Sequence, residues 1–171
     1  YNNVEKGKPS NSKLVAYDSS GENFHGPRTA IEELPSTSEW RNVSLKNSVR
    51  AILNENGGNT TKGETLPSNF SYSGKAARLL TTQEINKACN ITVEGTPGEL
   101  DTCNYLMENT KYSNASIGNN GYWLENARSG SSATAWLVYG FDRDVSSSAV
   151  LYAVGYGVRP AIEVLKSNIE Y

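Results

Sequence analysis

Between Tyr122 and Leu165 the chain breaks into four short apolar or β-branched runs, Tyr122–Leu124, Thr134–Tyr139, Ala149–Val154 and Val158–Leu165, separated by Gly- and Ser-containing stretches. Runs this short and this heavily punctuated predict strands, with Gly130–Ala133 and Asp142–Ser148 as polar connections. The pattern upstream is different. From Val43 to Asn56, Leu45, Val49, Ile52 and Leu53 fall at i, i+4, i+7 and i+8, the apolar stripe of a helix. Ser44 or Asn42 would cap its start and Gly57-Gly58 would stop it. Thr81 followed by Glu84 is a capping box, which predicts a second helix to about Cys89. A third is predicted from Leu100 to about Thr110, where Leu100, Cys103, Leu106 and Met107 share a face. Thr29–Leu34, bounded by Pro27 and Pro35, is at most a short helical turn. Lys13–Asp18 predicts a first strand, and Tyr1–Ser12 an extended lead-in. The order is that of an α+β chain, helices first and a β-rich third last, in one domain over residues 1–171.

Charge argues against several partners. Sixteen basic and 18 acidic residues leave a net charge of −2 and a pI of about 5.5, which is no nucleic-acid footprint and no polybasic membrane patch. The polarity is neutral instead: 19 Asn, 20 Ser, 12 Thr and 15 Gly stand beside one His and one Met. Such residues favour turns and caps over helix interiors, so long helical bundles are not expected. A single imidazole cannot build a His-rich zinc site or a pair of cooperating bases. His25 sits in N-F-H-G-P with no G-x-S-x-G partner and reads as a surface or turn residue. The expectation is a protein that is not an enzyme and uses no metal or cofactor.

No run of 18 apolar residues and no basic-then-apolar leader is present. The chain starts at Tyr1, as expected of a fragment or mature portion from which a targeting or anchoring segment has been removed; only through such a segment would it meet a membrane. Cys89 and Cys103 match no CxxC motif. In an oxidising compartment they would close a small loop, worth on the order of 3 kcal/mol. Two reduced, buried thiols would suit the same packing. If the second and third helices are neighbours, a bridge would staple them across the Glu94–Gly98 turn.

G-Y-W-L-E-N-A-R-S at Gly121–Ser129, A-W-L-V-Y at Ala135–Tyr139 and G-V-R-P-A-I-E-V at Gly157–Val164 form an ordered series. It resembles the C-terminal part of bacterial surface domains with a C-type-lectin-like or formylglycine-generating-enzyme-like fold. S-E-W-R-N-V-S-L-K-N-S-V-R-A-I-L-N at Ser38–Asn54 is similar to the N-terminal helix of that family. The matches span roughly residues 36–165. Ala76–Cys89 and the ending L-K-S-N-I are similar to proteins of gut bacteria, some of which carry a prepilin-like N-terminal segment. The resemblance implies that the first and last strands pair, Lys13–Asp18 beside Val158–Leu165. It makes Gly157, Arg159 and Pro160 architectural, with Pro160 at an edge or bulge and Arg159 holding backbone carbonyls or a carboxylate.

Ligands of that fold meet the stretch between the W-L and G-V-R-P motifs. The resemblance therefore puts Glu125, Asn126, Arg128, Trp136, Tyr139, Phe141, Arg143 and Tyr152 forward as ligand-binding residues. Five of the ten Tyr and two of the three Trp lie between Tyr112 and Tyr156, and aromatic, Arg and small polar residues suit adaptable binding surfaces. Half of any strand faces inward, so core roles compete at each position; Trp123 reads as core. Asp142 and Asp144 with Glu125 would offer oxygens to a hard cation, against the plainer reading of a solvated hairpin tip. Neither calcium-lectin triplet, Glu-Pro-Asn or Trp-Asn-Asp, is present, and the cysteines do not match the oxidase positions. The function expected is a secreted or cell-surface binding module of a bacterium, taking a protein or glycan. The alternatives are a pilin-like structural head forming a filament or homo-oligomer, and a receptor-binding protein diversified by a retroelement.

Overall fold

A computed structural model describes residues 14–58, 69–93, 95–103, 106, 121–153 and 155–164. The described elements make an α+β fold. Its centre is a four-stranded sheet in the order β5-β4-β3-β6, with β3 at Gly121–Ala127, β4 at Thr134–Tyr139, β5 at Asp144–Ala149 and β6 at Tyr156–Val158. The β3–β4 and β4–β5 pairs are antiparallel, and β6 runs parallel to β3. A separate pair joins β1 (Val49–Ala51) to β2 (Asn69–Ser71). The helices are short, α1 at Arg28–Glu32 and α2 at Thr82–Cys89.

Every residue of β3 is buried because the sheet is covered on both faces. On one face Trp123, Leu137, Ala135 and Val158 pack with Tyr17, Ile31, Leu34, Phe70, Tyr72 and Leu79. On the other, Tyr122, Leu124, Trp136, Val138 and Val145 pack with Ile85 and Cys89 of α2 and with Leu100, Cys103 and Leu106. Trp123 anchors the first face: its indole N–H donates to the Val15 carbonyl (2.7 Å), and Tyr17 and Tyr156 meet its ring edge-on at 5.7 and 5.0 Å. Rings crossed in this way add to their area burial through their quadrupoles.

The α2 capping box forms as its sequence requires, the Thr81 hydroxyl accepting from the Glu84 N–H (3.1 Å) and the Glu84 carboxylate from the Thr81 N–H (2.9 Å). Asn90, in the left-handed conformation at φ 54°, ends the helix. Cys89 and Cys103 are joined in a disulfide, with their Cα atoms 5.5 Å apart.

Several expected elements differ. The segment read as a helix over Val43–Asn56 is extended and turning, and holds β1. Val43, Val49 and Ile52 are β-branched and suit extended backbone, and the tertiary pairing uses them so: Arg50 pairs with Phe70, and the Leu53 carbonyl accepts from the Ala127 N–H (3.0 Å). The strand expected at Ala149–Val154 lies earlier, over Asp144–Ala149, because the hairpin closes on the Tyr139–Asp144 pair. After the buried Asp144 and Val145 it continues in the half-exposed Ser146–Ser148, tolerable on an edge strand with one open side. Lys13–Asp18 forms no named strand in its described part, residues 14–18. Instead of pairing with Val158–Leu165, of which only Val158 lies in a strand (β6) among the described residues, it bonds to residues before that run, Val15 N–H to the Tyr156 carbonyl (2.8 Å) and Tyr17 N–H to the Val150 carbonyl (2.9 Å). Of the third predicted helix, residues 100–102 form a turn, and most of the remainder lies outside the described residues. The Tyr1–Ser12 lead-in lies outside them too.

Candidate functional site

Four of the residues put forward from the sequence, Tyr139, Phe141, Arg143 and Tyr152, come together at the end of the sheet where β4 turns into β5. The cross-strand register aligns Asp144, Tyr139, Gly121 and Tyr156 in one row across all four strands. Gly121 is needed there, since a Cβ would run into the Val138 carbonyl and come within 3.1 Å of the Tyr156 ring. The glycine leaves space for the rings to meet over β3: Tyr156 lies 6.4 Å from Tyr139 and 5.3 Å from Tyr152, and Tyr139 lies 6.3 Å from Phe141. Gly155 does the same for Tyr152, whose ring occupies the place a side chain would take. An aromatic chain thus runs from the buried Trp123 through Tyr156 to the surface, where Phe141 is 78 % and Tyr152 39 % exposed.

The hairpin tip is braced. Arg143 takes the left-handed conformation (φ 54°) that closes the turn. The Asp142 and Arg143 carbonyls accept from the Gly98 and Leu100 N–H groups (2.8 and 3.0 Å), and the Arg143 guanidinium donates to Asp101 (2.6 Å). Residues 98–101 lead directly into Cys103, so the disulfide to Cys89 ties the brace to α2.

Asp144 is the one acid of this end that is buried, at 3 % exposure, and its Oδ1 has no hydrogen-bond partner. Burial raises its pKa to about 6, and the negative charges of Asp142 and Glu99 add to the effect. Tyr139 and Tyr156 are raised as well, in both cases chiefly by burial.

The other sequence candidates lie elsewhere. Glu125 and Asn126 are interior residues near the far end of β3. The Glu125 carboxylate takes the Arg50 guanidinium (3.1 Å) and the Tyr72 hydroxyl (2.9 Å). Burial raises its pKa, and Arg50 and Tyr72 oppose the rise. Asn126 spends its amide on the Thr82 N–H, the Asn54 carbonyl and Gln83. Both were expected on the binding face; their polar atoms are instead used to hold β3 to its neighbours. This also separates Glu125 from Asp142 and Asp144, so the three do not form the hard-cation set weighed from the sequence. Among the described residues, no three carboxylate, His or Cys side chains group as metal ligands. Trp136 is buried, its indole N–H on Glu55 (3.0 Å), and the exposed Arg128 lies 6.0 Å from its ring centre.

Comparison with protein families, with curated proteins and with solved structures returns no match.

Three serines touch carboxylates among the described residues; Ser36 meets only Glu39 of its own exposed turn (2.9 Å). Ser129 donates its hydroxyl and its N–H to Glu55. Burial pushes the Glu55 carboxyl up, but the bonds from Ser129 and Trp136 outweigh it and hold the pKa below the usual range, which makes it a weak base. Ser20, His25 and Asp18 also cluster, a grouping not anticipated from the sequence. In a nucleophilic relay the acid and the serine occupy opposite ring nitrogens. Here both meet His25 Nδ1, Ser20 at 3.0 Å and Asp18 at 3.1 Å, and Ser20 donates directly to Asp18 (2.7 Å). The cluster ties the Asp18–His25 turn together and does not deliver a proton from Ser20 through the ring. Arg159 donates to the Leu106 carbonyl (2.6 Å), the backbone-holding role expected of it.

Proposed function

We propose that this chain is an extracellular or cell-surface recognition module of a bacterium, binding a protein or glycan through the aromatic end of its sheet. The observation that carries the reading is the exposed Phe141 and Tyr152 set on a fixed base of buried rings. Stiff aromatic side chains give contact area at small entropic cost. A base fixed by Trp123, Gly121 and the 98–101 brace leaves little to order on binding. The disulfide is compatible with an oxidising, extracellular setting. The weak base at Glu55 and the one-nitrogen geometry at His25 favour binding over catalysis.

The finer fold we infer is C-type-lectin-like. In support, the three motifs of the resemblance fall in sequence order on β3, on β4 and on β6 with the segment after it, and Val15 of the N-terminal segment bonds to Tyr156 of β6.

An array of extracellular proteins and glycans probed with the intact chain tests this reading. At least one ligand should be retained, and a Phe141→Ser/Tyr152→Ser variant, shown to be folded by its circular dichroism at the assay temperature, should bind it at least tenfold more weakly. Equal retention of both forms on every ligand overturns it.

A further inference from the structure

We propose that the aromatic end of the sheet is a site for the ammonium group of a lysine side chain on a polypeptide partner, with Asp144 as the receiving anion. The inference rests on the recognition role above and names its ligand class. Four observations converge. The Asp144 carboxylate has an oxygen without a partner, although almost all buried polar atoms in proteins have one. Its charged neighbours Asp142 and Glu99 are both acids. The nearby cation, Arg143, is engaged with Asp101. Tyr139 stands directly across from Asp144 in the sheet, Tyr156 lies farther along the same row, and Phe141 and Tyr152 extend the aromatic surface outward.

An anion in one row with Tyr139 and Tyr156, beside an exposed aromatic surface, suits an organic cation, since aromatic rings attract positive charge and the carboxylate supplies the ion pair. Carboxylates grouped for a metal ion would have to converge, which the described ones do not. Lysine fits better than an amino sugar because Asp144 lies beneath side chains. A slender four-carbon stem can lie along Phe141 and Tyr152 while its charged head reaches inward, whereas an amino group on a sugar ring has no such reach. Lysine also fits better than arginine, whose planar fork is used fully only on two open acceptors side by side and whose bulk is greater than that of an ammonium group.

The charge on Asp144 sets a pH dependence. The groups around it are Asp142, Glu99, Tyr139 and Tyr156, with Arg143 next in the chain held by Asp101. With a free-state pKa of about 6, Asp144 is ionised above that pH and receptive, and below it protonation competes with the ligand. Affinity should fall about tenfold between about pH 7.5 and about pH 5.

The test is a titration of the isotopically labelled chain, followed by backbone amide shifts. The probes are Nα-acetyl-lysine N-methylamide, its norleucine counterpart, which has a similar alkyl stem without the charge, and glucosamine. Saturable shifts at Gly121, Tyr139–Asp144 and Tyr152 are expected with the lysine probe, with at least tenfold weaker binding of norleucine. Asp144→Asn should abolish the preference, and the pH series on the unaltered chain checks the same carboxylate without a substitution. Norleucine binding as tightly as lysine overturns the ammonium site while leaving an apolar recognition face intact. Tighter binding of glucosamine overturns the lysine assignment in favour of a glycan. No shifts with any probe overturn the site whatever ligands the array retains.

Discussion

Asp144→Asn should make the protein more stable at neutral pH and leave it unchanged in acid. The free carboxyl has a pKa near 3.8, and in the fold it is raised to about 6. A carboxyl raised on folding favours its protonated form in the native state, so ionising it above pH 6 costs stability, and that cost disappears as pH falls below its unfolded value. Two units correspond to an upper bound of about 3 kcal/mol. The site lies at the hairpin end beside the exposed Phe141, and screening there lowers the figure to about 1–2 kcal/mol. Asparagine removes the charge with nearly the same shape and brings N–H donors among the acids Asp142 and Glu99. For a chain of this size the gain should raise the melting temperature by about 3–6 °C. Thermal melts of both forms at intervals from about pH 3.5 to about pH 8 read it, as the difference between the two curves. That difference should open between pH 4 and 6 and then level off. Equal melting temperatures at pH 7.5, or a gain that persists unchanged at pH 3.5, would refute the reasoning that burial and two neighbouring acids destabilise this carboxylate.

Reducing the Cys89–Cys103 bridge should cost about 3 kcal/mol in urea denaturation, the chain-entropy value for a loop of about 15 residues; because residues 98–101 brace the hairpin tip, hydrogen exchange of the Asp142–Val145 amides should quicken in the still-folded, reduced chain, and unchanged exchange would separate the bridge from the tip. Arg50→Ala leaves Glu125 buried without its nearest cation and should cost about 3 kcal/mol at neutral pH. The loss should shrink in acid, where Glu125, already raised by burial, takes up a proton; a loss independent of pH would point to packing of the Arg50 stem. Thr81→Ala opens the α2 capping box and should cost about 1 kcal/mol, read by chemical denaturation.

Arg50 and Arg78 show how much of this fold lies between segments far apart in sequence. Arg50 bridges Glu125 (3.1 Å) and Glu163 (3.7 Å), while Arg78 holds Glu163 (2.9 Å) and Glu84 (2.8 Å). Burial works against Glu84 and Glu163, and the hydrogen-bonded pairing outweighs it, holding both below their usual pKa. The chain crosses from β1 to β3 to the segment after β6 through these charges. Glu84 carries a local signal only as the capping-box partner of Thr81; nothing within a few residues of any of these charges names its distant partner.

What the sequence determined by itself is local. The α2 capping box, the limits of β4, the core of β3 and the Gly130–Ala133 turn follow from turn chemistry, capping and short apolar runs, which act within a few residues. Cys89 and Cys103 were legible as a pair, but bridge and free thiols remained open until the fold set their Cα atoms 5.5 Å apart. The apolar stripe of Val43–Asn56 misled because a spacing that fits a helix also fits a segment whose Ile52 is buried by other elements and whose backbone bonds to β3. β5 slid five residues upstream of its apolar run because the register of an antiparallel hairpin is decided by the strand it pairs with and by its turn. The binding candidates split for the same reason. Strand alternation could not say which side of β3 was covered, and only the two packed faces decided that Glu125 and Asn126 turn inward while Tyr139, Phe141 and Tyr152 meet at the open end of the sheet.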